Sequence, residues 1–256
     1  SGLAEMILFA LLLMLLCGQH AQAATDFSEF AYDQHPGAQL PLATPFKDEL
    51  GHTVTLGQSL AHRPTILALG YFHCPNLCGL VRDDLMNALG RLNTQGNYSL
   101  VVLSIDPSET PADARSAQQA DMARFQPAAG WHYLTGSAQA VRSVADAVGF
   151  RARLDAASKQ FLHPAGLVFL TQSGTVSSYL LGLGYQPSDV GLGITRAANG
   201  VTARALPILL LCFHYDPTTG RYSLAILRVL QLGAAITVLV VAGTIMLALR
   251  RERRPR

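Results

Sequence analysis

Thr65-Ile66-Leu67-Ala68-Leu69-Gly70-Tyr71-Phe72-His73-Cys74-Pro75-Asn76-Leu77-Cys78 is the stretch on which the fold turns. Thr65–Phe72 is a short, almost wholly apolar run, the pattern of a strand buried on both faces. The period then changes. Leu77–Leu92 carries Leu80, Leu85, Leu89 and Leu92 at helical spacing. The two cysteines therefore stand where a buried strand gives way to a helix.

The pattern repeats outward from this junction. Leu100–Ile105 reads as a second buried strand, and Ala112–Phe125 as a polar-faced helix with Pro111 in its first turn. Trp131–Leu134 is a short strand, and Ser137–Val148 a helix with Ser137 as N-cap. Gly166–Leu170 and Val176–Leu180 flank the turn Thr171–Thr175, and Pro187–Ala198 is a last helix. Upstream, Lys47–Leu56 reads as a small hairpin turning at Leu50-Gly51. Strands alternating with helices imply parallel pairing through crossovers, and the late hairpin adds an antiparallel edge. This order predicts an α/β thioredoxin-like sandwich.

Composition sets the surroundings. Of 256 residues, 50% are apolar and only 14% charged, against about 25% in an ordinary soluble domain. The formal charge of +2 is concentrated at one end: Arg250–Arg256 holds five Arg and one Glu, which leaves the rest at −2. No basic face is available for a nucleic-acid backbone, so nucleic acid is excluded as a partner. Val229–Leu249 is 21 residues without a charge, about 31 Å of helix, which matches a bilayer core. The arginines that follow place that end in the cytoplasm. Leu3–Cys17 is apolar except for Glu5, shorter than the roughly 20 residues of a span. It precedes Ala21-Gln22-Ala23, a small-x-small cleavage pattern.

The expected organisation is thus a signal peptide (1–23), an irregular arm (24–45), the main domain (46–200), a juxtamembrane segment (201–228), one C-terminal transmembrane helix (229–249) and a cytoplasmic basic tail (250–256). The lipid bilayer is an expected partner, with the main domain outside, in an oxidising compartment where cysteines persist as disulfides or metal ligands.

A cysteine at a helix N-terminus feels unpaired N–H groups and the positive dipole end, both of which stabilise thiolate. If the helix starts near Pro75, Cys74 caps it and Cys78 lies one turn on. Such a pair can close a disulfide or grip a soft metal ion. A dithiol redox motif of the thioredoxin type has two intervening residues; here there are three. A structural zinc site wants four ligands, commonly two such pairs, and there is no second pair. Thiolates with one imidazole suit copper as Cu(I) or Cu(II).

From Pro45 to Tyr185 the sequence resembles the SCO/SenC copper-binding assembly proteins of cytochrome oxidase. The resemblance is carried by GYFHCPNLC, by Ser104-Ile105-Asp106-Pro107 closing the second strand, and by the histidine, strand and hairpin from His163 to Val176. Leu183-Gly184-Tyr185, Cys212-Phe213-His214-Tyr215-Asp216-Pro217 and the last helix resemble a membrane-anchored bacterial branch. The resemblance implies a thioredoxin-like fold and copper ligands Cys74, Cys78 and His163. It implies a copper chaperone serving the CuA centre of cytochrome c oxidase subunit II, in a bacterial inner membrane with the main domain in the periplasm. Two positions depart from the family: Gly79 follows the second cysteine where proline is frequent, and Leu162 precedes the histidine where many members carry Asp. A carboxylate there would orient the imidazole; Pro164 is the expected substitute that stiffens the loop. His163 is expected on the mobile side of the site and the cysteines on the rigid side.

A different function uses the same residues: a thiol–disulfide oxidoreductase working through Cys74 and Cys78 to reduce an acceptor's cysteines. The three-residue spacing and an idle His163 argue against it. A peroxide sensor using Cys74 would also fit the fold, but lacks an assignable Arg or Thr in the cysteine loop. His73 is expected to point away from Cys74, and His35, His52, His62 and His132 to lie at the surface. Cys212 and His214, at i and i+2, would share a face if that segment is a strand. Asp106-Pro107 is expected to shape the loop after the second strand, facing the cysteine loop.

Overall fold

The computed structural model describes residues 31–74, 78–92, 97–124 and 130–203, together with residues 233, 237 and 243. Three strands, β3 (Thr65–Gly70), β4 (Ser99–Ser104) and β5 (Trp131–Leu134), run parallel. Two more, β8 (Gly166–Leu170) and β9 (Val176–Leu181), complete a five-stranded sheet in the order β5-β4-β3-β8-β9. β8 lies antiparallel to β3, and β9 antiparallel to β8. The helices α2 (Cys78–Gly90), α3 (Pro111–Arg124) and α4 (Ala138–Ala147) follow the three parallel strands, and α5 (Pro187–Ala198) follows the hairpin.

Side chains alternate across the central strands, so each face of the sheet has its own core. Leu67, Leu69, Val101, Leu103 and Val168 pack with Val141 and Val144 of α4 on one face. On the other, Ile66, Ala68, Val102, Leu167 and Phe169 pack with Leu85 and Leu89 of α2 and Val190 and Ile194 of α5. This two-sided burial is why β3 and β4 read as continuous apolar runs rather than as alternation.

The expected upstream hairpin is present as β1 (Pro45–Lys47) against β2 (Thr53–Thr55). It is shorter than expected because Thr55 and Gln58 form a capping box that starts a five-residue helix, α1 (Leu56–Leu60). Lys47 exchanges both backbone hydrogen bonds with Thr135, so this hairpin continues past the β5 edge. A second hairpin, β6 (Arg153–Asp155) with β7 (Gln160–Leu162), precedes β8. Ser137 caps α4 as expected, its hydroxyl accepting from the Ala140 N–H.

The arm from residue 31 to 44 is irregular but docked. The Asp33 N–H donates to the Gly149 carbonyl (2.7 Å), and Tyr32 meets the ring edges of Phe150 and Tyr179. Among the described residues no helix is long and apolar enough to cross a membrane. The segments 1–23 and 204–228 lie outside the described residues, as does 229–249 except for Gly233, Thr237 and Gly243, which are helical.

Candidate metal centre

Three pieces of chain meet at one end of the sheet, and the mixed strand directions bring them there. β3 runs toward this end and leads into Tyr71, Phe72, His73 and Cys74. β4, parallel to it, leads into the loop 105–110. β8 is antiparallel, so its beginning lies at the same end. The β3–β8 register runs to Ala68 opposite Leu167, and beyond it the ring of His163 meets that of Tyr71, the first residue after β3. Cys74 and His163, far apart in sequence, thus follow and precede strands that share one end of the sheet, the carboxyl ends of the parallel strands, the usual place for a site in such a sheet.

His163 is buried, with only 5% of its surface exposed. Its ring meets Tyr71 edge-on at 6.0 Å between centroids and lies 5.9 Å from Phe150. Phe161 in turn packs on Tyr71 at 5.6 Å. His163 Nδ1 stands 3.0 Å from the Pro164 carbonyl oxygen. The tautomer that uses this acceptor carries its proton on Nδ1 and its lone pair on Nε2, as a metal-binding imidazole requires. The Pro164 carbonyl is thus placed to orient the ring through Nδ1, next to Leu162, which has no acidic group to do so. The imidazole is boxed by aromatic rings, which overturns the expectation that His163 is the mobile member of the site.

Cys74 is half-buried and packs against the core cluster that contains Tyr71 and Phe150. Cys78 is the first residue of α2; residues 75–77, on which the expectation of a cap at Cys74 rests, lie outside the described residues. Among the described residues no group of three His, Cys, Asp or Glu side chains is gathered to hold a metal ion. Cys212 and His214 also lie outside them.

The largest fixture on the cysteine loop was not legible in the sequence. Glu109 is buried to 2% side-chain exposure. Its Oε2 accepts from the Phe72 N–H (2.9 Å) and the Ser104 hydroxyl (2.5 Å), and its Oε1 from the His73 N–H (2.7 Å). These bonds explain why β3 stops at Gly70 rather than at Phe72: the next N–H groups turn to a carboxylate instead of a strand. The His73 ring, itself exposed, lies 3.3 Å from Glu109 Oε1 on one side and 3.3 Å from Asp113 Oδ1 on the other. Asp113 accepts from both the hydroxyl and the N–H of Thr110, bonds that hold its carboxyl below the usual carboxylate range. Asp106 does shape its loop, accepting from the Ser108 N–H and hydroxyl, but Glu109 is the residue that reaches the cysteine loop.

Behind the site Arg82, on α2, lines a small void of about 10 Å³ together with Tyr71, Phe72 and His163. Its Nε donates to Asp121 Oδ2 (2.8 Å), which also accepts from the Tyr133 hydroxyl (2.7 Å). Beside the site a cleft of about 490 Å³ runs between Ile105, Pro107, Val141, Phe150 and Phe161. Of the other histidines, His35, His52 and His62 are exposed, and His132 is half-buried with Nδ1 3.9 Å from Glu49.

A mixed sheet with helices on both faces and a CxxxC loop at the end of its central strand defines a thioredoxin-like α/β protein. Residues 39–191, more than half of the chain, match the SCO1/SenC family, and the chain belongs to that family. Solved structures are similar in fold. A candidate electron transfer protein from Aquifex aeolicus VF5 is 22% identical, with TM-score 0.58 over 64% of this chain and 95% of that one. Arabidopsis thaliana ScoI with copper bound is 19% identical, with TM-score 0.51 over 65% and 98%. BsSco, a member of the Sco family of cytochrome c oxidase assembly proteins in which a disulfide switch was identified, is 16% identical, with TM-score 0.51 over 65% and 98%. No curated protein matches the chain.

Proposed function

We propose that the protein is a membrane-tethered copper chaperone. Cys74, Cys78 and His163 hold one copper ion as cargo, Cu(I) or Cu(II), and pass it to the CuA centre of cytochrome c oxidase subunit II during assembly. The observation that supports this reading is the packing of His163 beside Tyr71 and Phe72, the residues that lead into Cys74, with its Nδ1 against the Pro164 carbonyl. The donor chemistry fits the ion: thiolate sulfur is soft and imidazole suits copper in both oxidation states. Membership of the SCO1/SenC family supports it, as does the copper held by the Arabidopsis thaliana relative.

Three ligands leave a coordination position for an incoming thiolate, so copper moves by ligand exchange. The span 229–249, with its basic tail inside and residues 24–228 in the periplasm of a bacterial inner membrane, holds donor and acceptor on one surface. That raises their effective concentration without any new contact.

Anaerobic copper titration of the reduced full chain in detergent micelles, beside His163→Ala, tests the reading. The expected result is one equivalent bound, with a thiolate-to-Cu(II) charge-transfer band that the variant loses. Absence of tight copper in both proteins would overturn it in favour of thiol–disulfide reduction. That chemistry has its own signature, a Cys78→Ser chain trapped as a mixed disulfide with an oxidised acceptor.

A further inference from the structure

We infer that Glu109 is a positioning residue for the copper-binding loop, acting through the main chain just before Cys74. The inference rests on the copper reading of Cys74, Cys78 and His163. At the end of β3 the chain leaves the sheet, and two consecutive backbone N–H groups, of Phe72 and His73, lose the partners a strand would supply. Both donate to the Glu109 carboxylate. Ser104, paired with Gly70 in the β3–β4 register, donates its hydroxyl to the same carboxylate. The Ile105 N–H closes the circuit on the Gly70 carbonyl (2.7 Å).

A carboxylate this buried is tolerated only when its oxygens are occupied by donors. Here three donors converge on it, and charge-assisted bonds of this kind are about twice as strong as neutral ones. The consequence is mechanical. Phe72 and His73 are fixed to a framework made of β3, β4 and the loop 105–109, so Cys74 leaves from a fixed point. Glu109 follows β4 and His163 precedes β8, the strands on either side of β3, and the carboxylate also touches the His73 ring. Glu109 is thus to the thiolate side of the site what the Pro164 carbonyl is to His163. Its amide counterpart cannot do the same: Gln keeps one acceptor oxygen and turns an NH2 group toward a donor.

The test uses the full chain in detergent, wild type beside Glu109→Gln, Glu109→Asp and Asp113→Asn. Three quantities are read: Cu(I) affinity by competition with a chelator, the position of the thiolate-to-Cu(II) band, and the iodoacetamide alkylation rate of Cys74 in metal-free protein, followed by peptide mass spectrometry. Glu109→Gln is expected to weaken copper by about 10–100-fold, to move the band, and to speed Cys74 alkylation. Glu109→Asp should recover part of each, and Asp113→Asn, whose carboxyl reaches the loop only through the outer side of the His73 ring, should stay close to wild type. A loss of melting temperature with affinity, band and alkylation unchanged would reduce Glu109 to a purely structural group and overturn the inference. If wild type takes up no copper the copper reading fails, and the alkylation rates alone decide the role of Glu109. Should Glu109→Gln fail to fold, Ser104→Ala, which removes one donor to the same carboxylate, must shift band and alkylation in the same direction; no shift overturns the inference.

Discussion

Asp121→Ala is expected to cost the domain a large part of its stability. Asp121 is 4% exposed and its partner Arg82 is 13% exposed at the side chain. Tyr133, which donates to the same Oδ2 at 2.7 Å, is fully buried. Truncation leaves a guanidinium and a phenol hydroxyl without their shared acceptor, among apolar neighbours on the α2 face of the sheet. Removing one partner of a buried ion pair costs about 3–5 kcal/mol, and an orphaned buried hydroxyl alone accounts for about 1–3 kcal/mol. The two overlap, so about 4 kcal/mol is expected, a substantial share of an ordinary total of about 5–15 kcal/mol. For a domain of this size that corresponds to a melting-temperature drop of roughly 8–16 °C. Asp121→Asn keeps the volume and one oxygen and should cost less. Because Arg82 lines the void beside His163, the alanine variant should also broaden the copper charge-transfer band. Thermal unfolding followed by circular dichroism in micelles checks the magnitude. A drop of no more than about 2 °C for Asp121→Ala would show that Arg82 and Tyr133 find water instead, and would refute the reasoning.

Gly149→Ala should also be damaging: φ is +64°, and an added Cβ would stand 1.6 Å from the Asp33 carbonyl oxygen. A cost of about 3 kcal/mol or more is expected, with faster proteolysis of residues 31–40 as the arm lifts; a variant that melts like wild type contradicts it. Burial first, then the neighbouring Asp121, pushes the Tyr133 phenol up. The folded state therefore keeps a proton that the unfolded chain releases near pH 10, so this stability is intact below about pH 10 and lost as pH rises above it. Tyr133→Phe should flatten the alkaline limb of the stability profile while lowering its plateau; an unchanged alkaline slope would count against the assignment. Asp113 works in the opposite sense. Thr110 holds its carboxyl low, so its contribution is present above about pH 4 and lost as pH falls through the lower folded-state value. Asp113→Asn should make acid unfolding shallower below about pH 4, and an acid limb parallel to wild type would refute that.

The order of the main elements was legible because burial on both faces gives β3, β4 and β8 unbroken apolar runs, and such runs need no tertiary information to recognise. The hairpin Arg153–Leu162 was not. Its strands are three residues long and carry Arg153, Asp155 and Gln160. What holds it is turn chemistry, with Asp155 accepting from the Ser158 N–H and hydroxyl and Lys159 at φ +56°. The helix Leu56–Leu60 had a written signature in Thr55 and Gln58, but at five residues it was absorbed into the preceding hairpin. The candidate ligands stood out because thiol and imidazole chemistry depends on residue type and spacing. The burial of His163 could not be read, because it is made by Tyr71 and Phe150, which are remote in the chain. Glu109 was hidden for another reason: it acts on two backbone N–H groups, which every residue but proline presents, so no side-chain pattern marks its partners.

The burial of His163 also changes how copper transfer has to run under the proposed function. An imidazole locked by Pro164 and walled by Tyr71 and Phe150 cannot swing out to release an ion at small cost, since leaving would expose the faces of packed aromatic rings. The thiol of Cys74 is half-buried, more open to solvent than the buried His163 ring. Under the proposed function an incoming thiolate would meet the copper on the cysteine side, and exchange would begin with sulfur replacing sulfur while the histidine held the ion in place. That order would keep copper bound throughout the transfer. It is also the order in which Glu109 matters most, because the group it fixes is the main chain that delivers the first ligand to be exchanged.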